Sequence, residues 1–268
     1  MKILFEHTES APHHLNEDRI GFNNNVIWVM DGLTEKFFNN TISKENDVVW
    51  FVEEMNNELT CADSLLTLHE MLKVAVDNVY KKACLINPDI INYEPYQLPS
   101  ATIAMLKEDK GTLEYLILGD CSIITEDEEI LTDYRLRPFH ERIMAEKNKY
   151  SGQDNYKKRI DESVKRIRRT INTEEGYWVL GLDSKVINHA LKGTIHVEDK
   201  NCFRVICCSD GFYPSIIENG NTAISIKEFF REDNLPKIIH NQRELEITRE
   251  KRENRIFRDD LSVILIQI

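Results

Sequence analysis

Four strand-like ends in this chain carry carboxylates. Asp31 closes the run Val26-Ile27-Trp28-Val29-Met30, Asp120 follows the run from Leu113 to Leu118, Asp210 follows that from Phe203 to Cys208, and Asp259-Asp260 directly precedes Leu261 to Ile268. Glycine adjoins three of them, as Asp31-Gly32, Gly119-Asp120 and Asp210-Gly211, and glycine lets a backbone turn sharply or approach an ion without steric penalty. Ionised carboxylates gathered in one place repel and raise one another's pKa unless a cation compensates. Oxygen-only ligands suit Mg²⁺ or Mn²⁺ rather than zinc, which prefers histidine and cysteine. Two such ions about 4 Å apart can share a bridging water, lower its pKa and polarise a phosphoryl oxygen for in-line attack. One Asp-Gly taken alone is commonly only a turn. The repetition at further strand ends favours a metal site.

The elements that must position these groups follow from periodicity. Val26 to Met30 reads as a buried strand. Val48, Phe51, Val52, Met55 and Leu59 recur at helical spacing, as do Leu65, Leu68, Leu72, Val76, Val79 and Ala83 after Asp63-Ser64, an expected N-cap. Residues 87–100, with Pro88, Pro95 and Pro99, cannot continue a helix. Ala101 to Leu106 and Leu113 to Leu118 flank Glu108-Asp109-Lys110-Gly111 as a β-hairpin, and Cys121 to Thr125 reads as a third strand. Tyr156 to Ile171 sets Ile160, Val164, Ile167 and Ile171 among lysines and arginines, which describes a basic amphipathic helix with a solvated face. A short helix is expected near Asp183 to Leu191. Strands grouped in antiparallel fashion, with helices clustered between them, give an α+β class. If neighbouring strands are antiparallel, the aspartates meet at one edge of the sheet.

Composition narrows the function. The length of 268 residues, 41% of them hydrophobic, allows one large domain spanning 1–268. No apolar stretch is long enough to span a membrane and the N-terminus lacks a secretory apolar run, so a cytoplasmic protein with no membrane partner is expected. A net charge of −12 argues against nucleic-acid binding. The six cysteines show no C-x-x-C spacing and read as reduced, mostly buried thiols. None has an arginine six positions later to cradle a phosphate, which disfavours cysteine-based phosphatase chemistry.

Six segments in order resemble the metal-dependent Ser/Thr protein phosphatases of the 2C type: Asn16-Glu17-Asp18, Met30-Asp31-Gly32, Ser100-Ala101-Thr102, Leu118-Gly119-Asp120, Cys208-Ser209-Asp210-Gly211 and Asp259-Asp260-Leu261-Ser262-Val263. They span the chain from about Asn16 to its end. Residues 176–193, with Tyr177-Trp178, resemble a bacterial branch of that family and suggest the variable flap beside the active site. Tyr177 and Trp178 themselves are expected to pack inward. The resemblance implies a four-layer αββα sandwich of two antiparallel sheets flanked by helices. It also implies Mg²⁺ or Mn²⁺ as two ions, with Asp31 bridging both, the Gly32 carbonyl on one, and Asp210 and Asp259 completing the other. Glu17 and Asp18 would act through metal-bound waters, and Asp120 with Asp210 would suit a weaker third ion. The implied partner is a phosphorylated protein, and a monomer is favoured.

Two departures stand out. Where the family carries a phosphate-binding arginine, four residues before Glu17, this chain has His13, followed by His14; a histidine can donate to phosphate but is only partly charged at neutral pH. Leu33 stands where many members have histidine after Asp-Gly. The expected function is therefore hydrolysis of phosphoserine or phosphothreonine, with Asp31, Asp210 and His13 at the centre. The rivals are a pseudophosphatase serving as a regulatory module and a docking role for the basic helix.

Overall fold

The computed structural model describes the chain apart from residues 35–36, 38–40, 198–201, 217–223, 232, 254–255 and 257. Among the described residues, ten strands form two antiparallel sheets of five. The first joins β1 (Lys2–Glu9), β10 (Leu261–Gln267), β9 (Arg204–Cys208), β6 (Ser122–Thr125) and β7 (Ile130–Leu131) in that order. The second joins β2 (Arg19–Asn23), β3 (Val26–Gly32), β4 (Ala101–Asp109), β5 (Thr112–Leu118) and β8 (Leu191–His196).

Side chains alternate across a strand, and in the central strands both faces are covered. In β3, Val26, Trp28 and Met30 pack with helices α1 (Asp47–Cys61) and α2 (Leu68–Ile86), while Ile27 and Val29 face the other sheet. On the first sheet, Val205, Cys207, Ile264 and Ile266 fill the layer between the sheets. Ile206, Cys208, Leu261, Val263 and Leu265 instead meet α5 (Ile226–Phe229) and α6 (Leu235–Glu253). The architecture is the expected αββα sandwich. A strand buried on both faces shows a continuous apolar run rather than alternation, as in Val26 to Met30.

Between β7 and residue 177 the chain makes an excursion, an antiparallel pair of helices, α3 (Arg137–Tyr150) and α4 (Tyr156–Arg168). Leu136, Ile167, Ile171, Tyr177 and Val179 form a small apolar cluster beneath it, joined by Leu33, Phe139 and Ile143. The solvated reading of α4 fits its contacts: Arg166 pairs with Glu146, Lys165 with Asp161, and Arg159 lies over the Tyr150 ring.

Several expectations need correction. The N-cap of α2 is Thr67, which forms a capping box with Glu70, whereas Asp63 Oδ1 accepts from the Leu65 amide in a turn before the helix. Leu65 is accordingly 87% exposed and outside the helical stripe. The proline-containing loop holds two 3-10 turns, Pro88–Asn92 and Pro95–Gln97. The helix expected near 183–191 is a 3-10 segment, Ser184–His189, and Leu191 begins β8. Among the described residues no helix is long and apolar enough to cross a membrane.

Leu106→Ala in the inter-sheet layer is expected to cost about 2–5 kcal/mol in urea denaturation, and Leu65→Ala less than about 0.5 kcal/mol. Thr67→Ala should cost about 1 kcal/mol, with a clearly smaller effect for Ser64→Ala.

Candidate metal centre

Strand register brings the acidic residues together. Asp31 is the next residue after Val29 on the inter-sheet face of β3, so it stands where the apolar layer ends. Across β3 and β4 it pairs with Thr102, and Arg19 pairs with Met30, which sets Asp18 beside Asp31 at the same edge. Asp120 lies in the link from β5 to β6, where the chain crosses from one sheet to the other. Asp210 follows β9 and Asp259 precedes β10, adjacent antiparallel strands that pair Val263 with Cys208. The two sheets thus present their carboxylates to one open end of the sandwich.

Backbone contacts fix the loops that carry them. Asp260 is buried and accepts from the amides of Ala11 and Glu17, both at 2.6 Å. Ser209 donates to Asp18 Oδ2 at 2.8 Å and accepts from the Ser262 amide at 2.9 Å. Arg19 donates to the carbonyls of Asn16 and Asp18. Arg243 donates to Glu9, to Glu246 and to the carbonyl of Asp259. Gly211 passes so close to Asp260 that an added Cβ would lie 1.8 Å from that residue's carbonyl oxygen, and Gly119 holds φ +90 against Thr102. Both positions require glycine, and Gly32 is crowded too, with the Glu17 carbonyl oxygen 2.8 Å from where a Cβ would lie.

Asp31, Asp120, Asp210 and Asp259 line a cleft of about 190 Å³ together with Gly32 and Thr102. Its opposite wall comes from the α3–α4 pair, through Leu136, Phe139, Ile143, Val164 and Ile167, with His140 and Arg168 as its basic side chains and Tyr177 alongside. Burial, followed by the charges of Asp18, Asp210, Asp120 and Asp259, pushes the Asp31 carboxyl well up. Burial, then Asp120 and Asp259, does the same to Asp210. The carboxyls of Asp31 and Asp210 are within hydrogen-bonding reach, so holding both ionised without a cation is costly. Asp259 is exposed by surface area, yet protein atoms crowd it enough for burial to lead its upward shift.

The donor set fits a hard divalent cation. The Oδ1 atom of Asp18 is buried without a hydrogen-bond partner, an arrangement that costs free energy unless a cation or water meets it. Among the described residues no three His, Cys, Asp or Glu side chains close into a cage around one point. Mg²⁺ in particular is commonly held by one or two carboxylates with several retained waters rather than by an all-protein cage.

The expected residues separate into groups. Asp31, Gly32, Asp120, Asp210 and Asp259 line the cleft, and Asp18 lies against Asp31. Glu17 is buried beside them, but its oxygens accept from Asn46 and Thr34 at 2.8 and 2.7 Å. His13 does not line the cleft. It is exposed with φ 60 in a loop pinned by the two amide bonds to Asp260, and His14 lies 3.7 Å from Glu17 and 4.0 Å from Asp260. The wall over the cleft is α3–α4 rather than the flap expected at 176–193, of which only Tyr177 takes part. Tyr177 is buried as expected, and Trp178 packs against the core with its ring stacked on His189. Periodicity did not single out Ser209, Asp260 or Arg168. The last carried one usable signal: it stands four residues after Val164, on the apolar stripe of an otherwise outward-facing basic set.

This fold is that of the PP2C-type Ser/Thr phosphatases. The PPM Ser-Thr phosphatase MsPP from Mycobacterium smegmatis, solved in complex with cacodylate, is similar at TM-score 0.57 and 14% identity over 99% of both chains. The catalytic domain of the Ser/Thr phosphatase PstP, in complex with two manganese ions, is similar at TM-score 0.51 and 14% identity, covering 98% of this chain and 97% of that one. PppA, a key regulatory component of T6SS in Pseudomonas aeruginosa, is similar at TM-score 0.55 and 12% identity, covering 97% and 95%. No family model matches the sequence, and no curated protein matches it significantly.

Burial above all pushes the Asp18 carboxyl up from 3.8 to about 8, against the hydrogen bond from Ser209. An acid that holds its proton more tightly in the folded state contributes stability that is full below its unfolded pKa and is lost as pH rises through the folded one. For Asp18 that window runs from 3.8 to about 8. The melting temperature of chelated protein is therefore expected to fall as pH rises from about 4 to about 8 and to level off above that, and Asp18→Asn to flatten the fall. Mn²⁺ should raise the melting temperature most at the alkaline end, because metal and protons compete for the same oxygens. A flat profile for the unsubstituted protein would show that Asp18 titrates as in water.

Proposed function

We propose that this chain acts as one domain, a metal-dependent phosphatase that hydrolyses phosphoserine and phosphothreonine in protein substrates, with a cytoplasmic location. The observation that carries the reading is the gathering of Asp18, Asp31, Asp120, Asp210 and Asp259 at one end of the sandwich, with a partnerless buried oxygen on Asp18. Support comes from the PP2C-type fold and from the manganese ions of the similar PstP domain. Mg²⁺ or Mn²⁺ would be held by Asp31, the Gly32 carbonyl, Asp210 and Asp259, with Asp18 close by and Asp120 with Asp210 suited to a further, weaker ion. Divalent cations bound there supply Lewis acidity and a water activated for attack on phosphorus. The chain's own part is positional. Asp260 and Ser209 hold the loops so that the carboxylates face one another, and the apolar wall of α3–α4 limits water around the phosphoester.

A second reading, a catalytically silent regulatory module, draws on the position of His13, exposed and outside the cleft.

Mn²⁺-dependent hydrolysis of p-nitrophenyl phosphate and of a phosphothreonine peptide tests the two. The phosphatase reading expects turnover that chelation abolishes and that Asp31→Asn or Asp210→Asn lowers by more than about 100-fold. The same substitutions should raise the melting temperature of metal-free protein at neutral pH, since each removes a buried carboxyl that is costly there whether it ionises or takes up a proton. Turnover unchanged by chelation and by both substitutions would defeat the metal reading. Manganese binding with no turnover of either substrate would favour the silent module.

A further inference from the structure

A phosphoester entering an acidic cleft needs a cation on its far side, and the position where the family resemblance places one is occupied here by a histidine outside the cleft. Arg19 is engaged with the carbonyls of Asn16 and Asp18, Arg243 with Glu9, Glu246 and Asp259, and Arg258 with Glu250. Of the two basic side chains that line the cleft, His140 faces Asp120 at 3.7 Å and is 54% exposed. Arg168 differs from all of these. It is half-buried at the last position of α4, and among the described residues its guanidinium has no carboxylate or carbonyl partner. Val164 and Ile167, on the same helix, place it on the cleft wall opposite Asp31 and Asp210.

We infer that Arg168 is the residue that binds the phosphoryl group of the substrate, taking the place of the cation absent at position 13. The inference rests on the phosphatase reading and adds to it a substrate-binding residue contributed by the α3–α4 excursion. A guanidinium offers a planar fork of donors that matches two phosphate oxygens at once. Arg168 lines the cleft together with Tyr177, whose phenol feels its positive charge. Its helix ends there, and the negative end of the helix dipole favours a cation at that point. The arrangement makes phosphate recognition depend on how α3–α4 packs over the cleft, through Leu136, Phe139 and Ile143.

The test compares unsubstituted protein, Arg168→Ala and Arg168→Lys, each loaded with Mn²⁺. KM and kcat are measured with p-nitrophenyl phosphate, and binding of inorganic phosphate is measured by calorimetry. Arg168→Ala is expected to raise KM and the phosphate dissociation constant together by about 10- to 100-fold, with kcat moving less than KM and Mn²⁺ affinity unchanged. Arg168→Lys should fall between, because an ammonium keeps the charge and loses the fork. If Arg168→Ala does not fold, Arg168→Gln, which keeps the aliphatic stem, takes its place in the comparison. Equal KM and equal phosphate affinity in a folded variant would overturn the assignment while leaving hydrolysis intact. If the unsubstituted protein turns over no phosphoester, the phosphatase reading fails by itself and the phosphate titration decides the residue. Weaker binding in the variant then upholds Arg168, and equal binding, or none in either protein, overturns it.

Discussion

Carboxylates at the open end of the sandwich repel one another, and burial magnifies the repulsion because protein screens charge less well than water. Among the described residues the nearby arginines relieve little of it: Arg19 is turned to backbone carbonyls, and Arg243, held by Glu9, Glu246 and the Asp259 carbonyl, eases Asp259 less than burial raises it. Asp31 and Asp210 approach within hydrogen-bonding reach all the same. A fold that holds such groups together must supply the force elsewhere. Here it is the apolar layer between the sheets, whose last inward position on β3 is Asp31, and the amide clamps on Asp260. The apolar interior does the assembling, and the acidic end bears the cost.

Close approach is the means. Gly211 lies against the carbonyl of Asp260, and Ser209 ties Asp18 to the start of β10 through Ser262. Strands from both sheets are thereby cross-linked at the place where each delivers its carboxylate. Asp120 contributes in a different way, from the link that leaves one sheet and enters the other. The α3–α4 excursion, resting on a small apolar cluster, adds to the acidic cleft a wall of aromatic and aliphatic surface and a guanidinium.

Much of this could be read before any coordinates. Uninterrupted apolar runs marked the central strands, because burial on both faces removes alternation, and the acidic ends of those runs marked the cleft. Edge strands were another matter. β1 alternates half-buried Ile3, Phe5 and His7 with exposed Lys2, Leu4 and Glu6, too weak a pattern to stand out, and β8, Leu-Lys-Gly-Thr-Ile-His, carries still less apolar character. α3 buries no residue fully, so no strong stripe announced it. The start of α2 was misplaced because Asp63-Ser64 and Thr67 are equally good caps in isolation, and only the partner Glu70 decides between them. The expectation for His13 followed motif spacing, which carries no knowledge of how the amides of Ala11 and Glu17 fold that loop onto Asp260 and leave His13 exposed outside the cleft lining.

All six cysteines are unpaired, and one of them, Cys121, lies inside this electrostatic setting. Its sulfur is 3.1 Å from the Thr102 hydroxyl, across the strand pairing from Asp31. Burial first, and the charge of Asp31 second, push its thiol far up. Thiolate, not thiol, is the form that attacks oxidants and captures soft metals. Burial above all, with the charge of Asp31 added to it, therefore keeps this thiol in its protonated, unreactive form at the edge of the acidic cluster.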